Sequence, residues 1–348
     1  MKKTVIILST LAFITGSCGQ SNTKKQVENN GYPIDYDNTQ VLDTVYVIEK
    51  KGVEYKQEPD KNSETLGIEE YGSRLEVIAT CEGWLGIRER VHRKFDRENK
   101  VVEQSAWEKV YVPKSALGSF SQIKLVQEDL NIISYSIDKG ERQDYENGKE
   151  LTKYLKVELI DKKLFESKKA DTINFLKIDT AEIRKCNGVI ELPCTQGNVT
   201  FTDIDSGGDN AQLFFYSGQI ESLNKYLVEG SYYESYDYIF IDKESGDKIY
   251  FVDFPNISPD EKHIIAIYAN PYENCADLDL ASIDGQEIKP IISVGYKNWM
   301  PNLDNEGNYQ MFFSSDGYLY ATAKHEKAYW TLNGEYNTNV QYIRIRIL

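Results

Sequence analysis

Short runs in which apolar and polar residues alternate follow one another from Thr44 to the end of the chain, and they constrain the fold more than any other feature. The stretch YGSRLEVIATCEGWLGIRE, residues 71–89, is typical, because it alternates on both sides of a turn that contains Gly83. Alternation with a period of two is the pattern of half-buried β-strands. The 25 tyrosines, against 3 methionines, also favour strands. The sequence therefore predicts an all-β fold, and its 348 residues suggest two domains.

The first residues have the pattern of an export signal rather than of a folded domain. Lys2 and Lys3 precede the short apolar run TVIILSTLAFI, and small residues directly precede Cys18. The TGSC sequence resembles the lipobox of bacterial lipoproteins, with Thr15 at the position where that family usually has leucine. The alternative is an ordinary secretory signal with an incidental cysteine.

The lipobox resemblance implies a lipid anchor at the cell envelope. Residues 1–17 would be the signal peptide, Cys18 would carry the acyl chains, palmitate among them, and residues 18–43 would form a polar tether. One acyl chain holds a protein to a bilayer only weakly, and lipoproteins of this type carry two or three. We therefore expect a lipid-anchored protein on the periplasmic side of the inner or outer membrane.

The chain is acidic, with a net charge of −15, and removal of Lys2 and Lys3 with the signal peptide would leave −17. An acidic surface repels the phosphate backbone, so no nucleic acid is expected as a partner. Such a surface also disfavours adsorption to anionic lipids, so contact with the membrane is assigned to the lipid anchor. A basic protein or a neutral glycan remains compatible with this charge.

The alternating segments between residues 44 and 118 follow an order that resembles the bacterial Src-homology-3 (SH3-like) domain. The matching positions are Gly52, Val53, Tyr55, Pro59, Leu66, Gly67, Tyr71, Gly72, Leu75, Val77, Trp84, Ile87, Tyr111, Val112 and Leu117. The resemblance implies a small β-barrel at residues 44–118. Two departures stand out: VEYKQ replaces the family's usual Asn-Val-Arg-Ser-like run, and a charged insertion at residues 90–106 predicts an extended hairpin or a loop.

The resemblance also implies where a ligand would bind. In members of this family that bind wall peptides, the position of Trp84 lies near the ligand groove, and Tyr55 and Tyr111 are the other aromatic residues that could line it. The alternative is that Trp84 belongs to the core of a barrel that acts only as a spacer. Leu85 and Ile87 share one strand face, which predicts that this face points inward and that Trp84 lies on the opposite face.

The second half of the chain also reads as strands. Residues 119–149 are charged and rich in turns and predict a connector, after which residues 150–348 predict a propeller-like or sandwich-like β domain. The run NISPDEKHIIAIY resembles a strand start found in some propeller blades, and Asp242 and Asp284 lie 42 positions apart, near the length of a blade repeat. The segment IESLNKYLV, residues 220–228, has the spacing of a helix.

Four cysteines remain besides Cys18, and two of them lie close together in the sequence. Cys186 and Cys194 stand at the two ends of CNGVIELPC, whose Asn-Gly pair indicates a turn. Disulfides persist in exported proteins. The pattern therefore predicts a Cys186–Cys194 disulfide, with two free thiols as the alternative.

No catalytic or metal-binding pattern is found. The three histidines, His92, His263 and His325, lie in unrelated contexts, without a nucleophile-elbow motif. The runs DIDSGGDN and NLDNEG match a calcium loop only in part, because a phenylalanine stands at the twelfth position of each loop. Asp277 and Asp279 share one strand face, which is more typical of a solvated surface than of a catalytic acid pair. We therefore predict no enzyme activity, no cofactor and no metal site.

These features favour a non-catalytic, lipid-anchored binding protein of the cell envelope, whose SH3-like domain binds a peptidoglycan peptide or an envelope protein. Two other functions remain open. An acidic surface would suit an immunity or inhibitor lipoprotein that neutralises a basic effector. A wall-active hydrolase with an unrecognised site is the third possibility.

The lipid anchor can be tested at one atom, the sulfur of Cys18. We expect Cys18→Ser to move the protein from the detergent phase to the aqueous phase in Triton X-114 partitioning, because the thioether to the lipid can no longer form. Cys81→Ser is the matched control and should stay in the detergent phase. A Cys18→Ser variant that still partitions into detergent would contradict the predicted anchor.

Overall fold

The structure is a computed structural model, and it describes residues 31–97, 100–204, 207–270, 273, 275–302 and 310–348. The predicted signal peptide, Cys18 and the first part of the predicted tether lie outside these residues. The single α-helix in the described chain, α1, spans Lys162–Lys168 and begins after Asp161, whose side chain accepts a hydrogen bond from the Leu164 amide at 2.7 Å. Short 3-10 helices span Lys114–Ala116, Phe120–Gln122, Gln127–Asp129, Lys169–Asp171 and Glu326–Ala328. None of the described helices has the length and apolarity needed to span a bilayer.

Seven strands in the first part of the chain form one antiparallel sheet. They are β1 (Asp43–Val47), β2 (Val53–Lys56), β3 (Thr65–Glu69), β4 (Arg74–Cys81), β5 (Trp84–Arg97), β6 (Lys100–Pro113) and β7 (Leu117–Gly118). The neighbour order is β3-β2-β6-β5-β4-β1-β7. Residues 90–97 and 100–106 of the insertion pair with each other in the distal part of the long β5–β6 hairpin, which is one of the two forms predicted for the insertion.

The core of this seven-stranded sheet follows from the alternation of its strands. Val47, Leu75, Ile87, Val110 and Val112 pack together and are almost completely buried. Each of these residues occupies the inward position of its strand, because successive side chains point to opposite faces.

The remaining strands form three further sheets and a small hairpin. They are β8 (Ile132–Asp138), β9 (Glu141–Glu150), β10 (Leu155–Ile160), β11 (Thr172–Ile173), β12 (Leu176–Lys177), β13 (Val189–Leu192), β14 (Val199–Thr202), β15 (Gln212–Ile220), β16 (Lys225–Tyr232), β17 (Ser235–Asp242), β18 (Lys248–Phe251), β19 (Asn256–Ile257), β20 (His263–Asn270), β21 (Cys275–Asp284), β22 (Glu287–Tyr296), β23 (Trp299–Pro301), β24 (Met311–Ser314), β25 (Leu319–His325) and β26 (Gln341–Ile347). The central sheet has the order β19-β20-β21-β22-β8-β9. The C-terminal sheet has the order β10-β26-β25-β24-β11, with β23 paired to β25, and the third sheet has the order β12-β15-β16-β17-β18.

These sheets are stacked, and the central sheet is covered on both faces. Ile265 and Leu278 on one face pack with residues of the C-terminal sheet. Ile264 and Ala281 on the opposite face pack with residues of the third sheet, such as Phe240. A further core lies between the other face of the third sheet and the β13–β14 hairpin. The layers are therefore held together by three successive apolar cores.

The prediction of an all-β fold is confirmed. Several sheets pack face to face, which agrees with the sandwich-like form of the predicted second domain. Over the described residues, however, no sheet closes into a barrel: in the seven-stranded sheet, β3 and β7 lie at opposite ends of the neighbour order.

The predicted connector at residues 119–149 differs from what the structure contains. Most of β8 and β9 falls in this segment, and β8 pairs with β22 as part of the central sheet. The two strands are joined at Lys139 and Gly140, which both have positive φ angles. The segment is charged because β9 is the exposed edge strand of that sheet, and charged side chains are common on such edges.

The predicted helix at residues 220–228 is wrong. Ile220 ends β15, Asn224 has a left-handed φ of 52°, and Lys225 begins β16, so the segment is a tight turn between two paired strands. Ile220, Leu223 and Leu227 are all buried in the core between the central and third sheets. Residues with this spacing can reach that core from a turn between two strands as well as from a helix.

The predicted Cys186–Cys194 disulfide is also absent, since both residues are free thiols. Cys186 pairs across a tight turn with Val189, and Val189–Leu192 then runs as a strand towards Cys194. Cys194 lies beyond the end of this strand, and its thiol donates to the Leu192 carbonyl oxygen at 3.7 Å.

Among the described residues Trp299 is the largest fully buried side chain, and it ties the central sheet to the C-terminal sheet. Its indole nitrogen donates to the Leu130 carbonyl oxygen at 3.0 Å, and its ring packs against Tyr296 at 5.0 Å. We expect Trp299→Ala to lower the free energy of unfolding by about 3–5 kcal/mol. Chemical denaturation measures this change, with Leu332→Ala, at a position 60% exposed, as a near-neutral control. Equal stabilities of the two variants would contradict the assignment of Trp299 to the core.

Candidate functional site

The strand register brings two of the three predicted aromatic residues to one face. Trp84 pairs with Pro113, and Gly86 pairs with Tyr111. Because Trp84 and Gly86 are two positions apart and cross-strand partners share a face, Trp84 and Tyr111 lie on the same side of the sheet. Tyr55 does not join them: it packs against the core on the other face. The predicted three-residue groove is therefore not formed. Lys56 is the cross-strand partner of Tyr111, and Tyr55, its neighbour in the sequence, faces the opposite side of the sheet.

Trp84 lies outside the apolar core. Ile87 is fully buried, and Leu85 packs beside it, so the aliphatic pair does point inward as the alternation predicts. Trp84 is half-buried on the opposite face, at the start of β5. Its position is consistent with a ligand contact and not with a core anchor.

Further along the same face, the β5–β6 hairpin carries basic and aromatic side chains. Arg88 pairs with Lys109, and Arg90 pairs with Trp107. We call Trp84, Arg88, Trp107, Lys109 and Tyr111 the outer face. It is a basic and aromatic surface on a chain whose net charge is −15. Such a surface can attract acidic groups and stack on flat ones.

An extended segment of the chain itself lies against the outer face. Residues 31–36, which we call the strap, run beside β6 on the side that β2 leaves unpaired. The Ile34 amide donates to the Trp107 carbonyl oxygen at 2.9 Å, and the Lys109 amide donates to the Tyr32 carbonyl oxygen at 2.9 Å. Pro33 stands opposite Glu108 in this pairing. The last part of the predicted tether, residues 18–43, is thus packed against the sheet from residue 31 onward.

The side chains of the strap contact the outer face as well. The Tyr36 ring lies 4.3 Å from the Trp107 ring and 3.8 Å from the Arg88 guanidinium carbon. The Arg88 guanidinium also donates to the Tyr36 carbonyl oxygen at 2.8 Å. The Tyr32 ring lies 5.3 Å from the Lys109 ammonium. These are cation–π and ring contacts of the kind that an aromatic peptide would make.

A buried ion pair supports the edge on which the strap lies. Glu108 is almost fully buried, and the Arg93 guanidinium donates to its two carboxylate oxygens at 3.1 and 2.9 Å. The hydrogen bond to Glu108 raises the pKa of Arg93 above its ordinary value. Gly31 sits directly against the Glu108 carboxylate, with no room for a β-carbon. Only glycine therefore allows the strap to approach so closely here.

A second concave region lies where the seven-stranded sheet meets the C-terminal sheet. This cleft of about 560 Å³ is lined by Lys50, Tyr71, Asp129 and His325, among others. Lys50 pairs with Asp129 at 2.6 Å and lies 3.8 Å from the centre of the Tyr71 ring, whose edge meets His325 at 5.0 Å. These groups satisfy one another, so the cleft is organised as a packed junction.

The chemistry of this cleft does not favour a Cys-His pair. Burial lowers the pKa of His325 to about 4, so its imidazole is neutral near pH 7. Cys275 also lines the cleft, but its thiol donates to Asp277 at 3.3 Å, and burial raises its pKa. A protonated thiol is a weak nucleophile.

The other candidates read from the sequence show no reactive arrangement. Asp279 accepts a hydrogen bond from Ser293 at 2.6 Å, and Asp277 accepts one from Tyr135 at 2.7 Å, so each aspartate has its own partner within the sheet. Most of the NLDNEG run lies outside the described residues. Among the residues that are described, no group of three or more His, Cys, Asp and Glu side chains is placed to hold a metal ion.

Comparisons with known proteins add no relative. No protein family, curated protein or solved structure matches the chain. The case for a function therefore rests on the chain's own residues.

The sequence pattern missed Trp107, Lys109 and the strap. Trp107 and Lys109 follow the charged insertion, and only the register of β5 with β6 reveals that they share a face with Trp84. The strap had one available signal: Tyr32 and Tyr36 are the only aromatic residues in the predicted tether. Two large rings in a stretch that is mostly polar indicate a segment that packs.

The two faces of β5 can be separated by a pair of substitutions. We expect Ile87→Ala to lower the free energy of unfolding by about 2–5 kcal/mol, because it opens a cavity in the core. Trp84→Ala should cost only about 1 kcal/mol, since its half-exposed ring leaves no cavity. Thermal denaturation of the two variants measures the difference. A larger loss for Trp84→Ala than for Ile87→Ala would reverse the assignment of the faces.

Proposed function

We propose that the protein is a lipid-anchored, non-catalytic binding protein of the cell envelope, and that it binds an extended peptide at the outer face. The peptide would belong to peptidoglycan or to another envelope protein. The observation that carries this proposal is the strap: the outer face already holds an extended peptide segment through main-chain hydrogen bonds and ring contacts.

The order of elements in the first sheet supports an SH3-like domain. A first strand, β1, lies between β4 and β7, and the β2–β3 hairpin precedes the β4–β5–β6 meander. The 3-10 helix Lys114–Ala116 leads into the short last strand of the sheet, β7. The family resemblance implies this succession, and the family includes binders of wall peptides.

Binding at the edge of β6 would use main-chain groups for affinity and side chains for specificity. This mode, in which an extended peptide adds a strand to a sheet, is common in peptide recognition. The half-buried Trp84 would then offer flat apolar area next to the edge, with little loss of rotamer freedom on binding, while Tyr111, only 7% exposed, would support the sheet beneath it.

The charge of the outer face indicates the chemistry of the peptide. The Lys109 ammonium lies near the Tyr111 ring at 5.7 Å and near Tyr32, and no ion pair joins it to a carboxylate of the described residues. An acidic group on the ligand, either a side chain or a terminal carboxylate, would form an ion pair with the Lys109 ammonium. We therefore expect the ligand to be acidic or to carry a free carboxylate.

The proposal is tested by retention on purified peptidoglycan sacculi and by pull-down from a total envelope extract. We expect Trp84→Ala and Lys109→Ala each to reduce retention by at least tenfold without loss of folding, because both remove outer-face contacts. Phe215→Ala is the matched control: this ring is exposed on β15, far from the outer face in the fold, and its loss should leave binding unchanged.

The same experiment separates the alternatives. Retention that is unchanged in Trp84→Ala and Lys109→Ala would contradict the outer face as the binding site. Capture of one basic protein, with binding that weakens steeply as salt rises, would favour an inhibitor that uses its acidic surface instead.

A further inference from the structure

We propose that the strap is a built-in competitor: residues 31–36 occupy the peptide-binding edge of β6 in the resting protein, and a partner peptide of the same chemistry must displace them to bind. This inference deepens the proposed function and rests on it for the identity of the outside partner. The juxtaposition of the strap with the outer face carries it.

The strap makes the main-chain contacts that an outside strand would make. Ile34 donates to the Trp107 carbonyl oxygen and Lys109 donates to the Tyr32 carbonyl oxygen, both at 2.9 Å. These are the main-chain groups that an added strand would need. As long as the strap holds them, no second peptide can pair with the same stretch of β6.

The aromatic side chains of the strap match the outer face. The strap and the residue that follows it read GYPIDYD, with two tyrosines four positions apart, two aspartates and no basic residue. Tyr36 stacks on Trp107 and Arg88, and Tyr32 lies near Lys109. The strap therefore defines the partner class: an extended peptide with aromatic residues about four positions apart.

The strap is poised to leave. Tyr32 and Tyr36 are still 41% and 36% exposed while bound, and the segment meets β6 through a single isolated β-bridge at Pro33. Segments with few buried apolar contacts open locally at low cost. A tethered occupant nevertheless competes strongly, because its effective concentration at the site is high.

Gly31 offers a substitution that acts on the strap alone. A β-carbon at this position would overlap the Glu108 carboxylate, which cannot move away easily because it is buried and held by two hydrogen bonds from Arg93. Gly31→Ala should therefore push the strap off the edge and leave the sheet intact. Gly208→Ala is the matched control, since a β-carbon at Gly208 meets no atom within 4 Å.

The experiment uses the full-length protein in detergent and a fluorescein-labelled synthetic peptide of sequence GYPIDYD. We expect the peptide to bind Gly31→Ala at least tenfold more tightly than it binds the wild type or Gly208→Ala, because the competitor has been removed. Hydrogen exchange at the Lys109 amide should be at least tenfold faster in Gly31→Ala, and added peptide should slow it again.

The inference would be overturned if the wild type, Gly31→Ala and Gly208→Ala bound the peptide equally well and showed equal hydrogen exchange at the Lys109 amide, and if the double variant Tyr32→Ala/Tyr36→Ala gave the same result. The double variant removes the side-chain contacts of the strap, so it decides the matter should alanine at residue 31 be accommodated. Tighter peptide binding by either variant supports the inference.

Failure of the proposed function would give a different set of results from failure of the strap as a competitor. If Gly31→Ala captures the synthetic peptide but neither it nor the wild type is retained on sacculi or binds any envelope protein, the strap is a competitor and the envelope ligand is wrong. If the wild type binds an envelope ligand while the Lys109 amide stays protected by the strap, the ligand site lies elsewhere and the strap is only structural.

Discussion

Burial of both faces of the central sheet is the constraint on which the rest of the larger β region depends. Along β20, Ile264 faces the third sheet and Ile265 faces the C-terminal sheet, so consecutive residues are fully buried. A sheet that is apolar on both sides must be covered on both sides. The stacking of the other layers follows from this requirement, and Trp299 fixes one of the two contacts by packing in the core and donating to Leu130.

The seven-stranded sheet follows a different rule, and the candidate site depends on it. Its inner face is apolar and buried, whereas the β5–β6 hairpin leaves basic and aromatic side chains on its outer face. The free side of β6 exposes main-chain donors and acceptors, which have to be satisfied by water or by another strand. The strap satisfies two of them, so this part of the edge is covered by the chain itself.

The sequence pattern was reliable where it reported local burial and unreliable where it was used for pairing. The inward direction of Leu85 and Ile87 followed from alternation, and a hairpin was one of the two forms predicted for the charged insertion. The connector, the helix at residues 220–228 and the Cys186–Cys194 disulfide did not hold, because a charged edge strand, a buried turn and a short strand can each produce those patterns. Tyr55 does not line the predicted groove, because it is next to Lys56 in the sequence and so lies on the face opposite to Lys56 and Tyr111.

The sequence by itself determined the all-β class and the inward residues of the strands, since alternation acts through burial of each residue, whereas the export pattern at Cys18 stays a prediction. Only the tertiary structure decided that β8 and β9 join β22, that Trp84 and Tyr111 share a face with Lys109, and that residues 31–36 lie on β6. Strands pair through main-chain N–H and C=O groups, and these groups are chemically alike all along the chain. The choice of partner therefore depends on how distant side chains pack, and a pattern of neighbours in sequence does not contain that information.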